Sequence, residues 1–293
     1  MKKLLLIINP TSGRKKAEKH IDEIVSIFEQ AQYQVQLYLT SCRGDATEAV
    51  RQLTEPVDLV VCCGGDGTFN ETVSGVLASG MNMDIGYIPA GSTNDFASSL
   101  NLSNDILEAA RQIVNGQAKP YDVGSFGDRY FTYVASFGAF TKTSYATSQK
   151  VKNMLGHMAY ILGGVKEVFH IHKEHICMQI DGETVEDDFI FGAVCNSTSV
   201  GGVLTLKQDL VDMNDGKFEI MLVRAPKHLK ELTRCVSAIR NQTYECEMIT
   251  FRSASSLQIQ ANPEMPWTLD GEKADGSEHV AIENLQSRIK LVH

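Results

Sequence analysis

Three short segments hold the residue types that phosphate chemistry needs. Gly64-Gly65-Asp66-Gly67-Thr68 follows an apolar run from Leu59 to Cys63. Consecutive glycines let the backbone come close to a ligand. Their N–H groups can converge on phosphate oxygens, and a helix expected from about Asn70 adds the positive end of its dipole. Anion binding alone does not explain Asp66. A carboxylate repels phosphate unless a cation bridges the two or it accepts a proton. The simpler structural reading is a tight turn with Asp66 as helix cap. The order lacks the G-K-[ST] of a Walker A loop and is not GxGxxG. Gly91-Ser92-Thr93-Asn94-Asp95, after Pro89-Ala90, and Asn9-Pro10-Thr11-Ser12-Gly13 follow two further apolar runs. Each alone is an ordinary turn. Three such loops at one sheet edge describe a single nucleotide-phosphate site.

Positioning them at one edge requires a parallel sheet, and the first ~125 residues read that way. Lys3 to Ile8, Leu59 to Cys63 and Ile85 to Ile88 are continuous apolar runs, as in buried parallel strands. Tyr33 to Leu39 alternates. Ile21, Ile24, Val25, Phe28 and Ala31 share one helix face, and Asp45 is placed to cap a helix carrying Ala46, Ala49, Val50 and Leu53. Ligands of doubly wound sheets sit beyond the carboxyl ends of the strands, where all three loops fall. After Tyr121 strand-like runs dominate: Tyr130 to Phe137, Ile176 to Ile180, Phe189 to Val194, Phe218 to Val223, Met248 to Phe251 and Leu257 to Ala261. Asp181-Gly182, Asp215-Gly216 and Asp270-Gly271 are hairpin signals. Helical stretches are expected at about 154–169 and 227–241. The sequence therefore predicts an α/β domain over 1–125 and a mostly antiparallel β domain over 126–293. Its last strand, within 284–293, is free to pack on either.

The chain has 293 residues, 43% hydrophobic and 22% charged, an ordinary globular balance. A net charge of −9 argues against bulk nucleic-acid binding, which needs a basic field. No run of 18 apolar residues exists to form a spanning helix. The opening MKKLLLIINP breaks at Asn9-Pro10 and is expected as a first strand rather than a leader. None of the seven cysteines forms CxxC; adjacent Cys62 and Cys63 are expected to pack on opposite faces of a strand in a reducing cytosol. His170, His172 and His175 lack metal-motif order and are expected on the surface. Arg14, Lys15, Lys16 and Lys19 form a basic face beside the first loop. Lys142, Lys150, Lys152 and Lys166 flank Met154, Leu155, Met158, Tyr160 and Ile161, a mixture suited either to core packing or to an anionic lipid surface. Trp267, after two prolines, is not placed by its neighbours, an exposed loop being one position open to it.

NPTSG, GGDGTFNETVSG, PAGSTNDFA, YDVG, NDGKFE and LDGE, in this order, resemble the bacterial diacylglycerol kinase family, from Leu4 to about Gly276. That family shares its catalytic domain with sphingosine and ceramide kinases. GGDGT is shared with NAD kinases, whereas GSTNDFA with LDGE is specific to the lipid kinases. The resemblance implies an NAD-kinase-like α/β domain, a C-terminal β-sandwich, and ATP-dependent phosphorylation of a lipid hydroxyl. By motif position Asn9, Pro10, Thr11, Ser12, Gly13, Thr40, Gly65, Asp66, Gly67, Thr68, Phe69, Asn70, Glu71 and Ser92 would line ATP. Asp66, Asp95 and Asp122 would form a water-linked network around the catalytic Mg²⁺. Glu272 matches the proton acceptor, with Asp66 as the rival base.

A structural Mg²⁺ would be held by the Asp215 carboxylate and the carbonyls of Asp212 and Lys217. Leu204-Thr205-Leu206-Lys207 departs from the family's small-residue-and-proline run upstream of that site. The acceptor implied is diacylglycerol, giving phosphatidic acid, at the inner membrane leaflet; the protein would be cytoplasmic and peripheral, and dimers occur in the family. Because Glu272 lies in the second domain, the active site is expected in a cleft between domains. A kinase of a soluble substrate, of the NAD kinase type, and a catalytically idle nucleotide sensor are the alternatives. Vesicle dependence separates the first; ATP binding without turnover marks the second.

Overall fold

A computed structural model describes residues 1–138, 172–200, 204–244 and 246–293. The helix expected at about 154–169 and the basic and apolar mixture around it, from Lys142 to His170, lie outside the described residues. The chain divides into two units, Met1–Asp122 with Ser287–His293, and Val123–Gln286.

In the first unit β1 (Lys2–Ile8), β2 (Tyr33–Leu39), β3 (Leu59–Gly64) and β4 (Asp84–Pro89) run parallel in the order β2-β1-β3-β4. The closing residues add a fifth parallel strand, with Leu291 opposite Ile85. Parity along the strands divides the core. Leu4, Leu6, Ile8, Leu59, Val61 and Cys63 pack with Ile24, Phe28 and Ile113 on one face. Cys62 points the other way, to the Thr72 hydroxyl, so the adjacent thiols do pack on opposite faces. All seven cysteines are unpaired.

The helices are α1 (Ser12–Lys15), α2 (Ile21–Gln30), α3 (Asp45–Arg51), α4 (Asp66–Ser79), α5 (Asp95–Ser99) and α6 (Ile106–Asn115). Asp105 caps α6 by accepting from the Glu108 N–H at 2.9 Å. Two expectations need correcting. Helix α4 starts at Asp66, four residues before Asn70, so the GGDGT turn is itself the helix entry, with extended Gly65 at the N-cap. Asp45 is the first residue of α3 rather than its cap. Its carboxylate accepts from Ser41 and Cys42 instead. Glu71, on α4, caps α3 through the N–H groups of Gly44 (2.8 Å) and Ala46 (3.3 Å).

Strand β5 (Ala118–Phe126) carries the chain from the first unit into the second. There follow β6 (Arg129–Phe131), β7 (Val134–Gly138), β8 (Glu174–Ile180), β9 (Glu183–Cys195), β10 (Ser199–Val200), β11 (Leu204–Thr205), β12 (Phe218–Arg224), α7 (Leu229–Arg240), β13 (Ile249–Ala254), β14 (Ser256–Gln260), β15 (Trp267–Leu269), β16 (Glu272–Ala274) and β17 (His279–Val292). Among the described residues the strands of this unit pair antiparallel, with β16-β15-β7-β9-β8-β14-β17 in order and β12 joining β9 to β13. The architecture is thus a doubly wound parallel sheet and an antiparallel β-sandwich. Asp181 and Gly182, at φ +47° and +88°, form the two-residue turn between β8 and β9. Trp267 is not on an exposed loop: it is buried in β15, 5.0 Å from both Phe126 and Phe137 by ring centroids. The expected strand from Tyr130 to Phe137 is broken at Thr132-Tyr133, whose N–H groups turn to a side chain described below.

Candidate active site

The loops after β1, β3 and β4 touch backbone to backbone. Ala90 N–H donates to the Gly64 carbonyl at 2.7 Å, and Asn9 N–H to the Cys63 carbonyl at 2.9 Å. A Cβ on Gly91 would lie 2.6 Å from the Gly65 Cα. Gly13, at φ +56°, would place a Cβ 2.2 Å from the Ala90 carbonyl oxygen. Glycine is required at these positions by the approach itself. Side chains then lock the loops. Asn9 Oδ1 accepts from Thr11 N–H (3.1 Å) and Oγ1 (2.8 Å), and its amide donates to Thr68 Oγ1 at 3.2 Å. Asn94, at φ +53°, accepts from Gly91 N–H at 2.9 Å. Thr40 N–H donates to the Ile8 carbonyl at 2.9 Å, tying the end of β2 to the same edge.

Asp66 sits in the middle. Its carboxylate accepts from the N–H groups of Asp95 (3.1 Å) and Phe96 (3.3 Å), the entry of α5. The structure therefore brings Asp66 and Asp95 together. Asp122 is fully buried on β5 and accepts from Ser287 N–H at 2.7 Å. Phe69 and Glu71 point elsewhere: the Phe69 ring stacks in the core 4.5 Å from both Tyr87 and Phe96, and Glu71 caps α3. Tyr87 was missed by sequence reasoning. Its buried hydroxyl finds no hydrogen-bond partner among the described residues. Burial, then the negative charge of Asp66, pushes its pKa well up. Within an apolar strand, no sequence signal marks such a hydroxyl.

In the second unit Glu272 opens β16, partly exposed, across the turn from Leu269. Asp270 and Gly271 form that turn at φ +50° and +79°. The Asp270 carboxylate is buried. It accepts from Thr132 N–H (2.6 Å) and Oγ1 (2.8 Å) on one oxygen, and from Tyr133 N–H (2.9 Å) and Val134 N–H (3.0 Å) on the other.

Residues 3–126 match the diacylglycerol kinase catalytic domain, and residues 134–291 the YegS C-terminal NAD kinase beta sandwich-like domain. The diacylglycerol kinase of Bacillus subtilis (strain 168) is 34% identical over 274 residues, 93% of this chain and 90% of that protein. The chain belongs to the diacylglycerol kinase family. It is a lipid kinase by that membership. The diacylglycerol kinase of Staphylococcus carnosus is 32% identical, over 92% of this chain and 89% of that one. A crystal structure of a putative diacylglycerol kinase from Bacillus anthracis superposes with a TM-score of 0.80 at 26% identity, over 100% of this chain and 95% of that one.

The turn before β12 carries the residues that the resemblance assigns to a structural cation. Asp212 Oδ1 accepts from Asn214 N–H (3.0 Å) and Asp215 Oδ1 from Lys217 N–H (2.9 Å). Asn284 donates to the Lys217 carbonyl at 2.9 Å. Glu219 is buried close by. One of its oxygens accepts from Ser253 Oγ at 2.8 Å and the other has no partner among the described residues. Burial first, then the charges of Asp215 and Asp212, pushes its pKa up to about 7. That concentration of acidic groups is of a kind that a hard cation offsets. Among the described residues no three His, Cys, Asp or Glu side chains converge. A cation at this turn would therefore need carbonyl and water ligands beside a carboxylate, a mixture that suits Mg²⁺. The departing segment begins with β11 and then buries Leu206, whose N–H donates to the Thr198 carbonyl at 2.7 Å. His172 pairs with Glu174 at 3.1 Å, and exposed His175 sits between Asp188 and Glu186 at 3.0 and 3.2 Å. In this lipid kinase those two histidines lie against carboxylates.

Proposed function

We propose that this kinase transfers the γ-phosphoryl group of ATP to the hydroxyl of diacylglycerol, giving phosphatidic acid and ADP. The observation that carries the reading is the backbone contact of three glycine-bearing loops around a pinned Asp66 at the carboxyl ends of parallel strands. Asn9, Thr11, Ser12, Gly13, Thr40, Gly65, Gly67, Thr68 and Ser92 orient the nucleotide; Pro10 and Asn70 lie in the same segments, while Phe69 packs in the core and Glu71 caps α3. Mg²⁺ would be held through water by Asp66, Asp95 and Asp122, and supplies charge neutralisation of the phosphates when bound. Asp66 already accepts two N–H bonds, which leaves it suited to that network and ill suited to proton abstraction. Glu272 takes the proton of the lipid hydroxyl as that oxygen bonds to the γ-phosphorus and the bond to ADP breaks. Such a base contributes about 10²–10⁴-fold. A second Mg²⁺ would be held by the Asp215 carboxylate and the carbonyls of Asp212 and Lys217. Because the acceptor resides in a bilayer, the protein works at the cytoplasmic membrane surface.

Phosphate transfer from radiolabelled ATP with Mg²⁺ to a panel of lipids in mixed micelles, and to NAD, tests the reading. Labelled diacylglycerol from wild type, with loss of at least about 100-fold in Glu272→Gln, is expected. Label on NAD alone establishes the soluble-substrate reading instead. Bound ATP with no labelled product anywhere overturns the kinase reading.

A further inference from the structure

Asp270 carries a buried charge that a plain turn does not need. An Asn-Gly pair satisfies the same two positive-φ positions in a hairpin. Here the Asp270 carboxylate is closed around four donors: both oxygens accept twice, from three successive backbone N–H groups and one hydroxyl. Four bonds fill the acceptor sites of a carboxylate. Asp270 therefore has no lone pair left for a substrate proton, although it lies two residues from Glu272. What it does is mechanical. Each of β15 and β16 has only three residues, too few to hold a hairpin in place alone. Strand β15 is paired with β7 along its length, and the segment Thr132–Val134 that leads into β7 holds the turn itself. The Asp270 N–H also donates to the Val134 carbonyl at 2.9 Å. That segment is in turn fixed by Asn196, whose N–H donates to the Tyr133 carbonyl (2.9 Å) and whose amide donates to the Thr132 carbonyl (3.0 Å). Beyond it, Ala135 pairs with Val194 in the sandwich core. The chain of bonds runs from β9 through Thr132–Val134 to the Asp270 side chain, and Leu269 pairs across the turn with Glu272.

We propose that Asp270 is the positioning residue of the Glu272 base, holding the turn so that the Glu272 carboxylate meets the acceptor hydroxyl. The inference rests on the assignment of Glu272 made under the proposed function. Displacing a reacting group by an ångström costs up to about 100-fold. Replacing one Asp270 oxygen by an NH₂ group sets donor against donor and forces such a displacement.

The test is a double-mutant cycle on lipid phosphorylation in mixed micelles, with thermal unfolding of each variant alongside. Asp270→Asn is expected to lower kcat by about 10- to 100-fold and to leave the KM for ATP within about twofold. In a Glu272→Gln background the same substitution should cost less than about twofold, because the group it positions is already gone. Thr132→Val removes one of the four donors and keeps the backbone three; it should show a smaller loss with the same non-additivity, and it carries the test if Asp270→Asn does not fold. Full additivity of either variant with Glu272→Gln overturns the positioning role. So does a raised KM for ATP with unchanged kcat. Glu272→Gln that alone keeps kcat within a few-fold overturns the base assignment itself, a result visible before the cycle is closed.

Discussion

A carboxylate in this protein is defined by what already bonds to it. Asp66 accepts two N–H groups at the entry of α5, so its removal alters both charge and structure. Asp66→Asn keeps one acceptor oxygen. It should cost under about 1 kcal/mol of stability, against about 1–2 kcal/mol for Asp66→Ala. Phosphoryl transfer should fall at least about 100-fold in both, comparable to loss of other preorganised electrostatic groups. Thermal unfolding beside initial rates separates the two effects, and an Asn variant that keeps its rate would remove Asp66 from the chemistry. Asp45 gives the opposite case. It is partly exposed, and Ser41 and Cys42 donate to it through N–H, hydroxyl and thiol. These bonds, the Ser41 N–H foremost, hold its pKa well below the usual carboxylate range. A depressed pKa stabilises the fold above the unfolded value of 3.8 and loses that contribution as pH falls through the folded value. Wild type should therefore unfold at a higher temperature than Asp45→Asn at pH 7, with the gap closing in acid below pH 3.8. A gap that is constant with pH would mean that the charge is not its source. Neither role could be read from residue order. The GGDGT spacing marks Asp66, but the partner N–H groups come from a loop 29 residues later. Nothing in SCRGD distinguishes a carboxylate that caps its own helix from one that folds back on the preceding turn.

Among the elements, what was legible was what is periodic or local. Apolar runs located β1, β3 and β4, and alternate packing of Cys62 and Cys63 followed from strand parity. The glycine-bearing loops were legible as a set because each directly follows a strand. What was not legible depends on distant partners. The run from Tyr130 to Phe137 reads as one strand and is two, because Asp270 draws off the N–H groups of Thr132, Tyr133 and Val134. Trp267 follows two prolines that do not place it, and it is core, because Phe126 and Phe137 close over it. The glycine contacts between the loops allow a direct test. Gly91→Ala would set its Cβ 2.6 Å from the Gly65 Cα and 2.7 Å from Asn94 Oδ1, and Gly65 is backbone that cannot step aside without moving the β3 loop. The expected cost is about 1–3 kcal/mol in stability, as for other overpacking. Affinity for a fluorescent ATP analogue should fall at least tenfold, measured by titration. Unchanged affinity with reduced stability would mean that the loops can part without disturbing the nucleotide site.

For the chain as a whole, the first unit is discontinuous: Met1–Asp122 is completed by Ser287–His293. These last residues are built into it at several levels. Ile289, Leu291 and Val292 are buried, and Leu291 extends the parallel sheet opposite Ile85. Ser287 N–H satisfies the fully buried Asp122, and the Tyr121 hydroxyl lies 2.6 Å from His293 Nε2. Three buried aliphatic side chains at about 1.5–3 kcal/mol each are a large share of the ~5–15 kcal/mol that holds a domain together. Their loss also leaves the Asp122 carboxylate buried without its Ser287 donor. A chain ending at Gln286 should therefore lose the first unit selectively. Hydrogen exchange should show β3 and β4 amides deprotected while β8 and β9 stay protected, since pairing within the second unit does not use residues 287–293. Phosphoryl transfer should disappear with it. Undiminished protection of β3 and β4 in the shortened chain would mean that the 122 residues before the sandwich fold without the returning strand. Global loss of protection would mean that the sandwich draws its stability from the first unit.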